Sequence, residues 1–366
     1  MRPIPLSRPY LTDEVRQAAL RALDSGRYIL DRECKAFEEE LAAHTGRKHA
    51  VLSSSWTAAV HLLLEAMGLR PGEEVLVPSH TAFPSIEPII HRGARPVFVD
   101  VDETFCLDPA SLERAVTPRT VGILPVHLYG HPADLDRVLE VARRHDLWVI
   151  EDCAQAQGAE HRGRRVGSIG FAGAFSFFPS KNLTVLGDGG CICTDDDAAA
   201  DRVRMLRNHG RRSKYEHELV GFNLRFNEIQ AAVGRVMLGR LDELNARRRE
   251  VARRYDERLQ GIVRTPPERP WAKAVYHLYV VRAPRRDELA AFLKKRGIET
   301  GIHYPKPLHL QGAFADLGLK SGAFPVSEAA AAEVLSLPIY PEMADSDVDA
   351  VSDAVGGFLG LQRGAR

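Results

Sequence analysis

The stretches LWVIED at residues 147–152 and GAFSFFPSK at residues 173–181 decide the fold of this chain. Each contains an almost continuous apolar run of strand length, which is typical of a strand covered on both faces. Each ends in a residue that carries chemistry, Asp152 in the first stretch and Lys181 in the second. Because ligands bind at the carboxyl ends of parallel strands, we expect Asp152 and Lys181 to lie at the same edge of a buried sheet.

Apolar runs of strand length alternate with helical patterns around these two stretches. Helical periodicity covers Thr57–Met67 and Asp134–His145, whereas Cys153–Ala172 has no helical period and is interpreted as a loop or hairpin. Further strands are predicted at Glu74–Val77, Pro96–Val101, Val121–His127 and Gly190–Thr194. This alternation predicts an α/β fold with three layers, α/β/α, around a mostly parallel sheet.

A second, smaller unit is predicted in the C-terminal part of the chain. The segment Asn227–Leu259 has the composition of one or two long helices, and the proline-rich stretch Thr265–Pro270 follows it. A predicted strand and a predicted helix come next, at Tyr276–Val281 and Arg286–Arg296. We therefore expect a large domain at residues 1–250 and a smaller α+β domain at residues 251–366.

The composition is that of an ordinary globular protein with balanced charge. The 366 residues include 49 basic and 49 acidic side chains, which argues against a nucleic acid or an anionic membrane as the main partner. The longest stretch without Asp, Glu, Lys or Arg, His49–Leu64, is too short to span a membrane. The start MRPIPLSRPY has no apolar core of a signal peptide, and five cysteines suggest no disulfide framework, so we expect a cytoplasmic location.

The residues at the predicted sheet edge suit chemistry on pyridoxal 5'-phosphate. A semi-buried lysine becomes a nucleophilic amine, and an opposing aspartate would keep a pyridine nitrogen protonated. Ser55, Trp56 and Thr57 stand at a predicted helix start that suits a phosphate, and Ser176 is placed to add a hydroxyl. Taken singly, an aspartate after a strand is more often a turn residue and a lysine there a solvated charge. The prediction of a pyridoxal 5'-phosphate site therefore rests on the order of all these groups along the chain.

Seven short motifs, in order along the chain, resemble the signatures of one protein family. They are EDCAQAQGA (151–159), FSFFPSKNL (175–183), GDGG (187–190), RNHG (207–210), GFNLRFNEIQAA (221–232), GIHYPKPLHLQ (301–311) and LSLPIYPEM (335–343). Together they are similar to the DegT/DnrJ/StrS family of fold-type-I sugar aminotransferases, which depend on pyridoxal 5'-phosphate. The resemblance begins at SRPYLTDEV (7–15) and covers essentially the whole chain.

The resemblance implies roles for individual residues. Lys181 corresponds to the lysine that forms a Schiff base with the cofactor and moves a proton, and Asp152 to the partner of the pyridine nitrogen. Gln155 corresponds to the side chain near the 3-oxygen of the cofactor. Ser176 and the backbone around Trp56 and Thr57 correspond to the residues that bind the phosphate.

Other residues are implied to complete the site. Asn223 resembles a residue that reaches the phosphate from the neighbouring subunit, which implies a homodimer with shared active sites. His303 and Tyr304 correspond to residues that line the substrate mouth, and Tyr28 and Tyr215 are further candidates for that wall.

Two positions depart from the pattern of the family. Trp56 stands where the family usually has the glycine of Ser-Gly-Thr, and Ala82, followed by Phe83, stands where it usually has an aromatic residue after Thr81. Two interpretations of Trp56 are open. Either its indole lines the substrate mouth and partly replaces the missing wall, with Phe83 as the competing candidate, or it packs into the neighbouring helix layer.

No metal site is expected. Cys191 and Cys193 share a strand face and are interpreted as buried thiols, because no second pair of ligands stands at the right spacing. His127 and His131 cannot form a helical zinc pair, because Gly130 and Pro132 interrupt any helix there.

The expected activity is transfer of an amino group from an amino acid, glutamate or glutamine, to a keto-sugar, typically one linked to a nucleotide. A keto-cyclitol of the inosose type is an alternative acceptor for the same site. A sugar dehydratase of the same family is disfavoured because it carries histidine at the position of Lys181. A non-catalytic regulator is disfavoured because the set of Lys181, Asp152 and Ser176 is intact.

Overall fold

The computed structural model describes residues 3–360. Its strands are β1 (His49–Ser53), β2 (Glu74–Pro78), β3 (Arg95–Val99), β4 (Thr120–Ile123), β5 (Trp148–Asp152), β6 (Glu160–His161), β7 (Arg164–Arg165), β8 (Ala172–Ser176), β9 (Gly190–Thr194), β10 (Ala272–Lys273), β11 (Tyr279–Arg282) and β12 (Val334–Leu337). Its α-helices are α1 (Asp13–Asp24), α2 (Arg32–Thr45), α3 (Trp56–Met67), α4 (Glu87–His91), α5 (Pro109–Ala115), α6 (Leu135–Arg144), α7 (Asp197–Leu206), α8 (Glu228–Leu259), α9 (Arg286–Lys294), α10 (Pro325–Glu333) and α11 (Asp345–Gly360).

Seven strands form a mostly parallel central sheet in the order β1-β9-β8-β5-β4-β2-β3. β2 pairs in parallel with β3 and β4, and β5 pairs in parallel with β4 and β8. Within this sheet, β9 is the strand that runs antiparallel to its neighbours, β1 and β8. The predicted fold class is thereby confirmed.

Apolar helices cover both faces of the sheet, as consecutive residues of β9 show. Cys191 and Cys193 are buried in one cluster with Phe37 of α2 and Met237 of α8. Ile192, between them, belongs to another cluster that includes residues of α3 and α7. Because successive side chains of a strand point to opposite faces, this division produces the three layers. Both cysteines are free and buried, as expected from the sequence.

Two strands differ from the prediction for local reasons. The strand predicted at Val121–His127 is shorter, since β4 ends at Ile123 and Pro125 has no N–H for the ladder. Val126 pairs again as an isolated bridge to Asp152. β1 is absent from the prediction, because its short apolar run is followed almost at once by the apolar helix α3.

The segment Cys153–Ala172 contains the short hairpin of β6 and β7, in agreement with the loop or hairpin predicted there. β10 joins β6 and completes a small three-stranded sheet. α8 is a single long helix, and the side chain of Asn227 caps its start by accepting a hydrogen bond from the N–H of Gln230 at 2.9 Å. An Asn N-cap of this kind defines where the helix begins.

The C-terminal part has a core of its own around the antiparallel pair β11 and β12. The stacked rings of Tyr255 and Tyr279, with centroids 4.7 Å apart, lie in this core, which Ile4 from the N-terminal segment also joins. The boundary expected between residues 250 and 251 falls within α8, so the division into two domains stays a prediction. Among residues 3–360, no helix is long and apolar enough to cross a membrane.

Candidate active site

Asp152 is the last residue of β5 and lies at the carboxyl end of the parallel strands. Its carboxylate is 2% exposed and accepts two hydrogen bonds, from Ser85 Oγ at 2.8 Å and from the N–H of Ala154 at 3.0 Å. Burial raises the pKa of Asp152 above its usual value, although both bonds and the charge of Lys181 oppose this effect. The two bonds hold the carboxylate in one orientation.

Lys181 lies in the turn that follows β8. Its peptide N–H donates to the carbonyl oxygen of Phe178 at 2.8 Å, which closes the turn. Burial lowers the pKa of Lys181 to about 8, although the charge of Asp152 opposes this effect. A larger fraction of this amine is therefore neutral near pH 7 than in an exposed lysine, and the neutral amine is the nucleophilic form.

The start of α3 faces the same space. Ser55 is the N-cap, and its hydroxyl accepts a hydrogen bond from the N–H of Ala58 at 3.0 Å. Trp56 and Thr57 begin the helix, so their N–H groups have no partner within it. Gly190 of β9 packs against this helix start, where a Cβ atom would lie 2.4 Å from the nitrogen of Trp56. Such a helix start is suited to bind an anion.

A cavity of about 230 Å³ brings these groups together. Seven of the predicted site residues line it: Ser55, Trp56, Thr57, Asp152, Gln155, Ser176 and Lys181. A larger groove of about 1250 Å³ lies between α1, α2 and α8, and none of the predicted site residues lines it. We place the candidate site in the smaller cavity, because it contains the half-buried Lys181 and the buried carboxylate of Asp152 at the strand ends.

Gln155 is held by hydrogen bonds from two directions. Its Oε1 accepts from the N–H of Tyr129 at 2.8 Å, which leaves Nε2 as the donor to the hydroxyl of Tyr304 at 3.1 Å. Because oxygen and nitrogen of the amide are thus distinguished by their partners, the orientation of Gln155 in the cavity is determined.

The comparison with known proteins identifies the family. Residues 9–356 match the DegT/DnrJ/EryC1/StrS aminotransferase family. The chain belongs to this family. The predicted family and the predicted class of enzyme, a transaminase, are thereby confirmed.

Individual relatives cover almost the whole chain. The erythromycin biosynthesis sensory transduction protein EryC1 of Saccharopolyspora erythraea is 49% identical over 344 residues, which are 93% of this chain and 94% of the relative. The dTDP-3-amino-3,4,6-trideoxy-alpha-D-glucose transaminase of Streptomyces venezuelae is 47% identical over 348 residues, with 94% and 92% covered.

Solved structures of the family superpose closely. The S. venezuelae protein DesV has a TM-score of 0.95 at 45% identity, with 98% of this chain and 99% of DesV covered. The putative sugar aminotransferase Spr1654 of Streptococcus pneumoniae, in its PMP form, has a TM-score of 0.94 at 28% identity, with 100% of both chains covered. Spr1654 has been solved in a PLP form as well as in a PMP form, which indicates that the family includes PLP-dependent aminotransferases.

The other residues expected from the family pattern lie outside the cavity. Tyr304 reaches it indirectly through Gln155, and the imidazole Nδ1 of His303 is hydrogen-bonded to Ser336 Oγ at 2.8 Å. Tyr28 and Tyr215 are 48% and 83% exposed, and neither lines the cavity. Asn223 is exposed as well and is also absent from its wall.

Sequence reasoning missed a buried pair behind the site, His80 and Tyr129. The hydroxyl of Tyr129 donates to the carbonyl oxygen of His303, so His80 Nε2 is the donor to that hydroxyl at 2.8 Å. Burial lowers the pKa of His80 to about 4, which keeps the imidazole neutral. Sequence reasoning also missed Ser85. Its place just after β2, at the same sheet edge as Asp152, is the signal that would have found it.

The departure from the family pattern at Trp56 has a structural basis. The residue is 5% exposed, belongs to the core between α3 and the sheet, and donates from Nε1 to the carbonyl oxygen of Ala174 at 3.2 Å. Trp56 also lines the cavity. Its indole thus packs in the helix layer, and the residue forms part of the cavity wall at the same time.

The departure at Ala82 changes the wall of the cavity. Ala82 lines it with a methyl group, whereas Phe83 packs against Phe314 with ring centroids 5.9 Å apart and is not part of the wall. Within residues 3–360, the aromatic side chains that line the cavity belong to Trp56 and Phe178. Phe83 therefore does not replace the aromatic residue that the family usually has after Thr81.

Proposed function

We propose that this protein is a pyridoxal 5'-phosphate-dependent aminotransferase that moves an amino group from glutamate or glutamine to a nucleotide-linked keto-sugar. The observation that supports this most strongly is that Lys181 and Asp152 line the same cavity at the carboxyl edge of the sheet. A lysine with a lowered pKa beside a buried carboxylate is uncommon outside functional sites.

The residues present fit the cofactor. The cavity has an anion site at the start of α3, where Gly190 permits close approach of the backbone, and it has a carboxylate at the opposite strand end. Asp152 would hold the pyridine nitrogen, Ser176 and the helix start would hold the phosphate, and Lys181 would hold the aldehyde carbon. When bound, pyridoxal phosphate supplies an electron sink for the bonds to Cα of an amino acid.

The residues of this chain then have defined tasks. Lys181 Nζ takes the proton from Cα of the amino donor, and in the second half-reaction it delivers a proton to what becomes the amine-bearing carbon of the sugar. Asp152, held by Ser85 and Ala154, keeps the pyridine nitrogen protonated through both half-reactions. Gln155 would orient the 3-oxygen through the amide that Tyr129 and Tyr304 hold in place.

The substrate class is supported by the names of relatives. The S. venezuelae relative is named for a dTDP-linked amino sugar, and a relative from Acidithiobacillus ferrooxidans, 41% identical, is named for a UDP-linked one. These names favour a nucleotide-linked keto-sugar over the keto-cyclitol. His303 and Tyr304 remain our candidates for the substrate mouth, and Tyr28 and Tyr215 remain weaker ones.

A homodimer with shared sites is part of the proposal. Asn223 is exposed and does not line the cavity of its own chain, which suits a residue that acts on a second copy. Phe178 lines the cavity and is still 51% exposed, so one side of the site is uncovered in a single chain.

Sedimentation should show a dimer or a larger oligomer. Mixing inactive Lys181→Ala chains with inactive Asn223→Ala chains should restore activity through hybrid sites, and failure despite subunit exchange would argue for sites built from one chain.

The test of the function separates chemistry from binding. The protein loaded with pyridoxal phosphate should release 2-oxoglutarate from glutamate, one per chain without an acceptor and repeatedly with a dTDP-linked keto-sugar. Lys181→Ala should abolish both the single release and the repeated turnover, whereas the matched control Lys306→Ala, which changes an exposed lysine, should not.

Borohydride reduction followed by peptide mass spectrometry should label Lys181. A label on Lys214 or Lys306 would contradict the assignment, and a protein that binds no cofactor would favour the regulator suggested by the name of EryC1.

A further inference from the structure

Three side chains from two separate segments, the start of α6 and the β6–β7 hairpin, come together outside the active site. They are Asp134, which caps α6, Asp136 in its first turn, and His161, the last residue of β6. One ligand atom from each lies within 4.8 Å of those of the other two. None of the three lines the active-site cavity.

The buried imidazole of His161 indicates that a ligand binds here. The residue is 3% exposed, and its Nε2 is buried without a hydrogen-bond partner within residues 3–360. Its ring packs against Trp271, with centroids 4.9 Å apart. A buried polar group without a partner is rare in proteins and indicates a water or an ion that completes it.

The two aspartates supply oxygen atoms with spare capacity. Asp134 Oδ1 accepts one long hydrogen bond, from the N–H of Arg137 at 3.4 Å. Asp136 Oδ2 is paired with Arg162 Nε at 2.6 Å, and both side chains of this pair are more than half exposed. Acidic residues at a helix start are also favourable without a metal, so the aspartates alone would carry no inference.

We propose that His161, Asp134 and Asp136 bind a divalent transition-metal ion of the Zn²⁺ type, with water completing the coordination. One imidazole nitrogen with two carboxylates suits such an ion, whereas Mg²⁺ and Ca²⁺ prefer oxygen ligands throughout. Since β6 also pairs with β10 through His161 and Ala272, the ion would connect three segments and stabilise their arrangement.

Another cluster of possible ligands, within the described residues 3–360, shows the contrast. His127, Glu151 and Cys153 also lie close together and are completely buried. There, His127 Nδ1 accepts from the N–H of Ala133, and Glu151 accepts from three N–H groups as well as from His127. Those atoms already have partners, so that cluster is a hydrogen-bonded network and not a metal site.

Arg162 competes with a metal ion for Asp136. Its guanidinium is paired with the carboxylate of Asp136, and its side chain is 61% exposed and can move away when a cation binds. A metal must therefore displace a competing positive charge. Removing that charge by Arg162→Gln should therefore increase the affinity for Zn²⁺. If Arg162 and Asp136 formed only a structural ion pair, the same change would lower stability and would not increase the affinity for Zn²⁺.

The experiment is a titration of the untagged, cofactor-loaded protein with Zn²⁺ and with Co²⁺. We expect one equivalent of Zn²⁺ to bind and to raise the melting temperature. His161→Phe and Asp136→Asn should each weaken this binding by at least about tenfold, and Arg162→Gln should strengthen it. His145→Gln, which removes a histidine from a surface pair with Glu113, is the control and should leave binding unchanged. Bound Co²⁺ should show visible absorption that the first two variants lose.

The proposal is overturned if the affinity for Zn²⁺ is the same in the wild type, His161→Phe and Asp136→Asn, or if no stoichiometric binding occurs. His161 is buried, so its variant is compared with Asp136→Asn, whose exposed side chain can change without loss of the fold. The site is separate from the active site, and transaminase activity should be the same with and without Zn²⁺ at one equivalent. A failure of either proposal is therefore distinguishable from a failure of the other.

Discussion

His127 Nε2 donates a hydrogen bond to Glu151 Oε2 at 3.2 Å, directly beneath the strand end that carries Asp152, and both side chains are completely buried. The direction of the bond is determined, because His127 Nδ1 already accepts from the N–H of Ala133. Burial works to raise the pKa of Glu151, but the bonds from His127, Gly167 and Gly170 together hold it below the usual value. The backbone of His127, beyond the end of β4, also contacts β5, since its N–H donates to the carbonyl oxygen of Asp152 at 3.1 Å.

His127→Phe should therefore destabilise the protein. The phenyl ring fills the same space but removes one donor from a buried carboxylate, which costs about 1–3 kcal/mol in the free energy of unfolding. Urea unfolding measures this, and His127→Gln is the matched control because it keeps an N–H for Glu151. Equal loss in both variants would show that the bond to Ala133, and not the one to Glu151, is the important one.

The stability of the cofactor-free protein should depend on pH through Lys181. The folded pKa of about 8 lies below the ordinary value of 10.5, so between these two values the unfolded chain binds more protons than the folded protein. Stability due to this residue consequently rises as the pH increases from about 8 to 10.5. Lys181→Met should have a smaller slope of unfolding free energy against pH in that window, and an identical slope would contradict the burial argument.

Ser85→Ala should lower the catalytic rate while leaving the fold intact. The change removes the hydroxyl that donates to Asp152 at 2.8 Å, and a hydrogen bond to a charged group is worth about 1.5–3 kcal/mol. We expect a loss of about tenfold in kcat or more. Ser85→Thr keeps a hydroxyl and should retain most activity. Wild-type kinetics in Ser85→Ala would show that Asp152 does not need this partner.

Trp56→Phe should lower stability more than it changes use of the keto-sugar. The change removes the buried bond from Nε1 to the carbonyl oxygen of Ala174, which keeps its partner from the N–H of Cys153, so the loss of one hydrogen bond costs about 0.5–1.5 kcal/mol in the free energy of unfolding. Phe178→Ala is the control, because this aromatic side chain also lines the cavity but is half exposed. A stable Trp56→Phe protein with a strongly raised KM for the acceptor would instead support the substrate-mouth interpretation.

The sheet edge was predictable because its signals are local. Apolar runs that end in Asp152 and Lys181, and the helix start at Ser55, each occupy a few consecutive residues, and the fold class follows from their alternation. β1 was harder to predict, because a five-residue strand has little periodicity. The end of β4 was also harder to predict, because Pro125 ends the hydrogen-bonded ladder within an apolar run. Ser85 and Tyr129 were missed because no local pattern indicates the distant residue to which each is bonded.

The sequence by itself determined the family, the parallel sheet, and the lysine and aspartate at one edge, since strand periodicity and motif order are written along the chain. Only the tertiary structure decided that the Trp56 indole packs in the helix layer, that Phe83 turns towards Phe314, and that His161 meets Asp134 and Asp136. These contacts join residues that are far apart in the chain. They exist only when the strands are in register and the helices are packed, because short-range forces between side chains act over a few ångströms.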